Sequence, residues 1–279
     1  MTAKTCTTVL TIAGSDGSGG AGIQADLKTI SANNCYGVSV ITAVTAQNTL
    51  GISAMHLVPA GMIASQLEAI ISDIRIDAVK IGMMGSCEAS ETIQRHLETV
   101  NNTPVVLDTV LRSSSGAALF PEKEMASIKL LFPSVALITP NLPEAALLTG
   151  KERIPSQKDE IEQMAFELQQ AGARSVLIKG GHGTDGFCND CLLHEDSFSW
   201  FSNPKIVTTN THGTGCTLSS AIATGLAKHY DMIDAVERAV AYTRESLIRG
   251  SAWRIGNGTG PLQHFPGSDW CQLSGKMHD

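Results

Sequence analysis

The sequence predicts an α/β protein, a mostly parallel sheet covered by helices on both faces. Short apolar runs rich in β-branched residues alternate with stretches of helical period along the chain, the pattern of repeated strand and helix. Glycine and polar residues collect just after the apolar runs, which gathers them at one edge of such a sheet, where open α/β sheets bind ligands. The 279 residues contain no evident repeat and no low-complexity linker. One domain over residues 1–266 with a loose tail over 267–279 is therefore expected.

Taken in order, strands are expected in TTVLTIAG (7–14), YGVSVITAVT (36–45), DAVKIG (77–82), PVVLD (104–108), VALIT (135–139) and SVLIK (175–179). Helical period appears in AGIQADLKTISANN (21–34), AGMIASQLEAIISDI (60–74), CEASETIQRHLETV (87–100) and DEIEQMAFELQQAGA (159–173). A further helix runs on from Cys216, where Leu218, Ile222 and Leu226 recur every four residues. Residues from about Phe187 to Val207 break the helical rhythm and read as an antiparallel edge hairpin. The loops that follow the strands are GSDGSGGAG, Gln47 with Asn48, GMMGS, DTVLRSSSG, TPNLPE and KGGHG.

A net charge of −7 without a basic block or stripe argues against a nucleic-acid partner. The N-terminus lacks a long apolar h-region and no apolar run reaches membrane-span length, so a cytoplasmic protein without a membrane partner is expected. Seven scattered cysteines, an odd number, suit reduced thiols rather than a disulfide framework.

The stretch NTHGTGC (210–216) places Gly213 and Gly215 at the entrance of a helix. Unpaired N–H groups and the positive end of the helix dipole make such a place an anion site, a plain capped helix being the bland reading. Cys216 in that first turn is either a small core residue or a thiol of lowered pKa able to act as a general base. In GSDGSGGAGIQADLK a second glycine loop precedes a helix, and Asp26 lies at the border of its buried face. There it needs a partner, such as a ligand hydroxyl or amino group, unless it is an ordinary surface aspartate. Asn141 and Glu144 are three apart, and Asp108 ends a strand. Carboxylates so placed beside a phosphate site suit Mg²⁺, although Glu144 also suits simple dipole pairing at a helix start. CNDC (188–191) falls on a strand, where residues three apart point to opposite faces, which disfavours a metal or redox pair. His182 and His264 read as structural, and GNGTGPLQHF as either a ligand-approaching loop or a turn-rich exit from the last helix.

These segments, together with TAQNT, VKIGMMGS, ITPNLPEA and IKGGHG in the same order, closely resemble the hydroxymethylpyrimidine/phosphomethylpyrimidine kinases of thiamine biosynthesis. The resemblance implies a ribokinase-like three-layer α/β/α sandwich and ATP- and Mg²⁺-dependent phosphorylation of 4-amino-5-hydroxymethyl-2-methylpyrimidine and then of its monophosphate. It implies a pyrimidine pocket at Gly14, Ala21, Asp26, Gln47, Met83, Val110 and Cys216. Asn141, Lys179, Thr211 and His212 then fall on the nucleotide side, Asp108 and Glu144 on the metal, and an anion hole on Gly213, Thr214, Gly215 and Cys216. Cys216 is the implied base, and a homodimer is expected because family members often dimerise. Pyridoxal kinase of the same fold and a non-catalytic pyrimidine-binding protein are the alternatives. The sequence departs from the family at Thr109, Ser114 and Ala117, where proline, lysine and aspartate are usual, and Arg112 offers a substitute cation. An ordinary exposed loop arginine is the other reading of Arg112. The sequence departs again at Asn257 and Thr259, where lysine and histidine are usual.

Overall fold

The computed structural model describes residues 5–100, 102–111, 119–120, 125–181 and 186–268. Arg112, Ser114, Ala117, His182 and most of the expected tail lie outside them. The elements are β1 (Thr8–Asp16), α1 (Gly22–Ala32), β2 (Tyr36–Asn48), β3 (Gly51–Leu57), α2 (Ala60–Ile71), β4 (Ala78–Ile81), α3 (Cys87–Leu97) and β5 (Val105–Leu107). They continue with α4 (Met125–Lys129), β6 (Leu137–Ile138), α5 (Leu142–Leu148), α6 (Lys158–Gln170), β7 (Val176–Ile178), β8 (Phe187–His194), β9 (Ser197–Pro204), α7 (Thr214–Ala227) and α8 (Met232–Gly250).

One nine-stranded sheet runs in the order β3-β2-β1-β4-β5-β6-β7-β8-β9. The pairs from β2 through β7 are parallel. Both edges are antiparallel, β3 on β2 and the β8–β9 hairpin on β7. Every residue of β4, β5 and β7 is buried, as a parallel sheet covered on both faces requires. Strand alternation divides the core in two. Leu10, Ile12, Val79 and Ile81 pack with Ile63 and Leu67 of α2, Ile93 of α3 and Met164 of α6. Val9, Ala78, Val106 and Leu177 pack on the other face with Leu218 and Ile222 of α7 and Val236 of α8. The strand order reverses between β1 and β4, and the crevice at such a switch point is where this architecture holds ligands.

The β8–β9 hairpin and the mixed sheet agree with the sequence expectation. One edge does not. Gln47 and Asn48 are expected in a loop after the second strand, yet they close β2, and GISAMHL returns beside it as β3. That edge strand is mostly exposed, so burial imposes no apolar alternation to be read. Asn141 caps α5 and makes a reciprocal capping box with Glu144, explaining their three-residue spacing. Among the described residues no helix is long and apolar enough to cross a membrane.

Candidate active site

Two glycine loops meet at the ends of the central strands. Asp16, the last residue of β1, holds the first loop by accepting the Ser18 N–H at 2.9 Å, the Ser18 hydroxyl at 2.7 Å and the Ala21 N–H at 2.8 Å. Gly213 begins the second loop's helix at φ +85°, and a Cβ there would lie 1.8 Å from the carbonyl oxygen of Gly20. Only glycine allows that conformation and that approach. Neither α1 nor α7 has a side-chain cap, so both helices bring uncapped first turns to one place. The Cys216 sulfur accepts the N–H of Gly22 and links the two.

A cavity of about 720 Å³ opens there, within the size range of small-molecule sites. Gly14, Ala21, Gln47, Met83 and Val110 line one end, where Met83 packs with Ala43 and Leu119 in a small apolar wall. Asp108, Asn141, Glu144 and Lys179 also line the cavity, with residues 211–216. So do the end of β9 and Val240, Thr243, Arg244 and Leu247 of α8.

Asp108, Glu144 and Lys179 form a strongly charged cluster on the cavity wall. Lys179 Nζ lies 2.7 Å from Asp108 Oδ1, and the Thr139 hydroxyl donates to the same oxygen at 3.2 Å. Burial acts to raise the Asp108 pKa, but Lys179 and Lys80 together hold it below the usual carboxylate value. Burial, with repulsion from Asp108, pushes Glu144 up to about 7 despite Lys179. A Cβ on Gly215 would lie 3.2 Å from Lys179 Nζ, so the start of α7 and this cation face the same space.

Asp26 does not line the cavity. It is fully buried beneath it and needs no ligand to satisfy it. Lys80 Nζ donates to both of its oxygens at 2.9 and 2.8 Å, Thr11 Oγ1 at 2.6 Å and Ser220 Oγ at 2.8 Å. The partner is supplied by the protein, because alternation puts Thr11 of β1 and Lys80 of β4 on the sheet face that α1 and α7 cover. Lys80 itself reaches the cavity wall and escaped the reading of the sequence. Its signal was a lysine inside a short, otherwise apolar strand, AVKI.

The expected lowering of the Cys216 pKa is also corrected. Burial pushes the thiol up to about 11; Lys80 and the Gly22 N–H pull it down, while Asp26 and Asp108 oppose them. The desolvation cost of a thiolate outweighs the helix-start field, and the nearest cation is shared with Asp26. His212, expected on the nucleotide side, is held between the first glycine loop and Gln47. Its Nε2 lies 2.8 Å from Asp16 Oδ2 and 3.3 Å from the terminal amide of Gln47. Asp16, also missed, orders both the loop and this ring.

Cys191 is in the core and Cys188 on the cavity wall, and no cluster of three or more His, Cys, Asp or Glu able to hold a metal occurs among the described residues. The C-terminal glycine loop packs on its own chain, with Thr259 N–H donating to Thr49 O at 2.9 Å and Gly258 N–H to Thr49 Oγ1 at 3.2 Å.

Burial raises the Asp16 pKa, but hydrogen bonds from His212, Ser18 and Ala21 bring it down to about 2. A folded-state value below the unfolded one stabilises the fold above the unfolded pKa and ceases to do so as pH falls through the folded one. The gap in melting temperature between wild type and Asp16→Asn is therefore expected to be widest above about pH 4 and to close toward pH 2. A gap independent of pH in this range would contradict the assignment.

The family model described as phosphomethylpyrimidine kinase matches residues 16–263, which contain nearly all of this site. The chain belongs to the phosphomethylpyrimidine kinase family. It is 43% identical over 257 residues to the hydroxymethylpyrimidine/phosphomethylpyrimidine kinase of Escherichia coli (strain K12), covering 92% of this chain and 96% of that protein. It is 44% identical over 256 residues to the enzyme of the same name from Rhizobium meliloti (strain 1021), with the same coverage. Among solved structures, the phosphomethylpyrimidine kinase of Clostridium difficile 630 superposes with a TM-score of 0.75 at 41% identity, covering 86% of this chain and 99% of that one. The pyridoxal kinase from Staphylococcus aureus in complex with pyridoxal gives a TM-score of 0.86 at 29% identity, with 96% of each chain covered. Phosphomethylpyrimidine kinases and pyridoxal kinases thus share this ribokinase-like fold, and sequence places the chain with the former.

Proposed function

We propose that this chain transfers the γ-phosphoryl group of ATP to 4-amino-5-hydroxymethyl-2-methylpyrimidine and then to its monophosphate, for thiamine biosynthesis. The observation that carries the reading is the pairing of an uncapped glycine–helix start with Lys179 across one cavity, in a chain of this family. In phosphoryl transfer the protein's work is positioning and charge stabilisation. Gly213, Thr214, Gly215 and Cys216 would hold the phosphoryl oxygens with backbone N–H groups, while Lys179 adds a positive charge. The pyrimidine belongs at the end lined by Gly14, Ala21, Gln47, Met83 and Val110, with Asp26 supporting it from below. Asn141 and Thr211 stand toward the nucleotide. Cys216 is the proton acceptor for the substrate hydroxymethyl, acting through its thiolate.

Mg²⁺ suits the donors present. Asp108 and Glu144 offer hard carboxylate oxygens, and Glu144 is a buried carboxylate short of positive charge, the environment a cation relieves. Mg²⁺ needs few protein ligands and would neutralise phosphate charge there. The homodimer and the cytoplasmic location remain part of this proposal.

The likeness to a pyridoxal-bound kinase makes pyridoxal the rival substrate. ADP release by the purified chain with Mg·ATP is expected with the hydroxymethylpyrimidine and with its monophosphate, and more slowly with pyridoxal. Turnover with pyridoxal alone would move the assignment to that vitamin. Silence with all three would leave a binding protein.

A further inference from the structure

The geometry points to Asp16 and His212 as the pair that sets which end of the Gln47 amide faces the substrate, making them specificity-determining positioning residues for an aminopyrimidine edge. This rests on the pyrimidine reading above.

An ionised carboxylate has only lone pairs to offer. Asp16 accepts four hydrogen bonds, from Ser18 N–H, Ser18 Oγ, Ala21 N–H and His212 Nε2, and stays ionised at neutral pH. The proton of the 2.8 Å contact therefore resides on His212 Nε2. A protonated Nε2 has no lone pair left. Gln47 Nε2 is set 3.3 Å from the same nitrogen, a donor facing a donor, so we assign the amide the inverse way, its oxygen toward His212 and sharing that proton.

The other end of the amide gives the same answer independently. There the structure sets Gln47 Oε1 3.1 Å from Thr45 Oγ1, as an acceptor of the hydroxyl, yet the same hydroxyl donates to Ser15 O at 2.8 Å. The Ser15 carbonyl can only accept, so the Thr45 hydroxyl proton is committed and its lone pairs receive the Gln47 NH₂. Oxygen and nitrogen of an amide are told apart by such partners. The chain Asp16–His212–Gln47–Thr45–Ser15 thus has one consistent direction.

Each end of the amide keeps one unspent capacity, a lone pair on the oxygen and an N–H on the nitrogen, and Gln47 lines the cavity. A donor and an acceptor in fixed order match an exocyclic amino group beside a ring nitrogen. The 4-oxo analogue presents the opposite order, carbonyl beside ring N–H, and meets the amide like to like. A site built on such hydrogen bonds rejects the mismatched analogue by large factors because buried groups are left unpaired.

The test measures kcat/KM of the full chain for 4-amino-5-hydroxymethyl-2-methylpyrimidine and for its 4-oxo analogue. Wild type is expected to prefer the amino compound by at least about 100-fold. His212→Phe frees the amide to turn over and is expected to lower that ratio at least about tenfold, mainly through KM. A preserved ratio with KM raised in parallel for both compounds would overturn the proposal. Failure of wild type to phosphorylate either compound would instead reject the pyrimidine reading. Should His212→Phe not fold, NMR of the wild-type chain decides. Cross-relaxation from the Gln47 NH₂ is expected to reach Thr45, and contacts to the His212 ring in its place would overturn the assignment.

Discussion

Cys216→Ala is expected to lower kcat for the hydroxymethylpyrimidine by about 10²–10⁴-fold, the range of a positioned proton acceptor, while KM for the pyrimidine moves only a few-fold. The split follows from place. Cys216 lies in the first turn of α7, on the cavity wall, with its sulfur held by the Gly22 N–H, whereas the end proposed for the pyrimidine is lined mainly by other residues. Because burial raises the thiol to about 11, the thiolate is a small fraction at neutral pH. Wild-type kcat should therefore climb with pH between about 7 and 10, where the thiolate fraction grows about tenfold per unit. Cys216→Ala should lose that slope. Alkylation of Cys216 by iodoacetamide should accelerate over the same range, since the thiolate is the nucleophile. Unchanged turnover in Cys216→Ala would remove the thiol from the mechanism.

Lys80→Met is expected to cost the most stability of any single change beneath the site. Lys80 and Asp26 are fully buried and 2.8 Å apart, and Asp26 also ties Thr11 of β1 and Ser220 of α7 to the pair. Removing one partner leaves an uncompensated buried charge, about 3–5 kcal/mol. In a chain of this size that corresponds to a melting temperature lower by roughly 6–20 °C. Replacing both charges together, Lys80→Met with Asp26→Leu, should recover much of the loss, because the isolated charge is gone. Thermal melts of Lys80→Met, Asp26→Leu and the double variant measure this. A shift within about 2 °C for Lys80→Met, or a double variant worse than the sum of the singles, would show that the pair does not act as a unit.

The two changes probe different links of one construction. The pair joins β1, β4, α1 and α7, the elements whose ends carry both glycine loops. Disturbing it is expected to move the loops relative to each other, and disturbing Cys216 to leave them in place.

Much of this was legible in the sequence. Alternating apolar runs and helical periods specify the parallel centre, since strands buried on both faces must be continuously apolar. The glycines at 213 and 215 and the Asn141–Glu144 spacing mark helix starts through backbone demands that few residue types meet. Their order along the chain was enough to mark the family resemblance.

What the sequence could not show follows from contacts made across distance in the chain. β3 is hidden because an exposed edge imposes no pattern of burial. Asp26 looked like a ligand-seeking carboxylate because Lys80, its partner, is 54 residues away, and no local rule joins a helix of one segment to a strand of another. Cys216 looked activated because a helix start lowers a thiol pKa. Only packing shows the desolvation that reverses it. His212 lies 196 residues from Asp16, and the tertiary fold alone turns its ring toward Asp16 and Gln47. The sequence by itself determined the architecture and the places where backbone must bind, because those depend on local periodicity and backbone freedom. Charge states and partners were decided by the tertiary structure, because they depend on which distant groups share a low-dielectric interior.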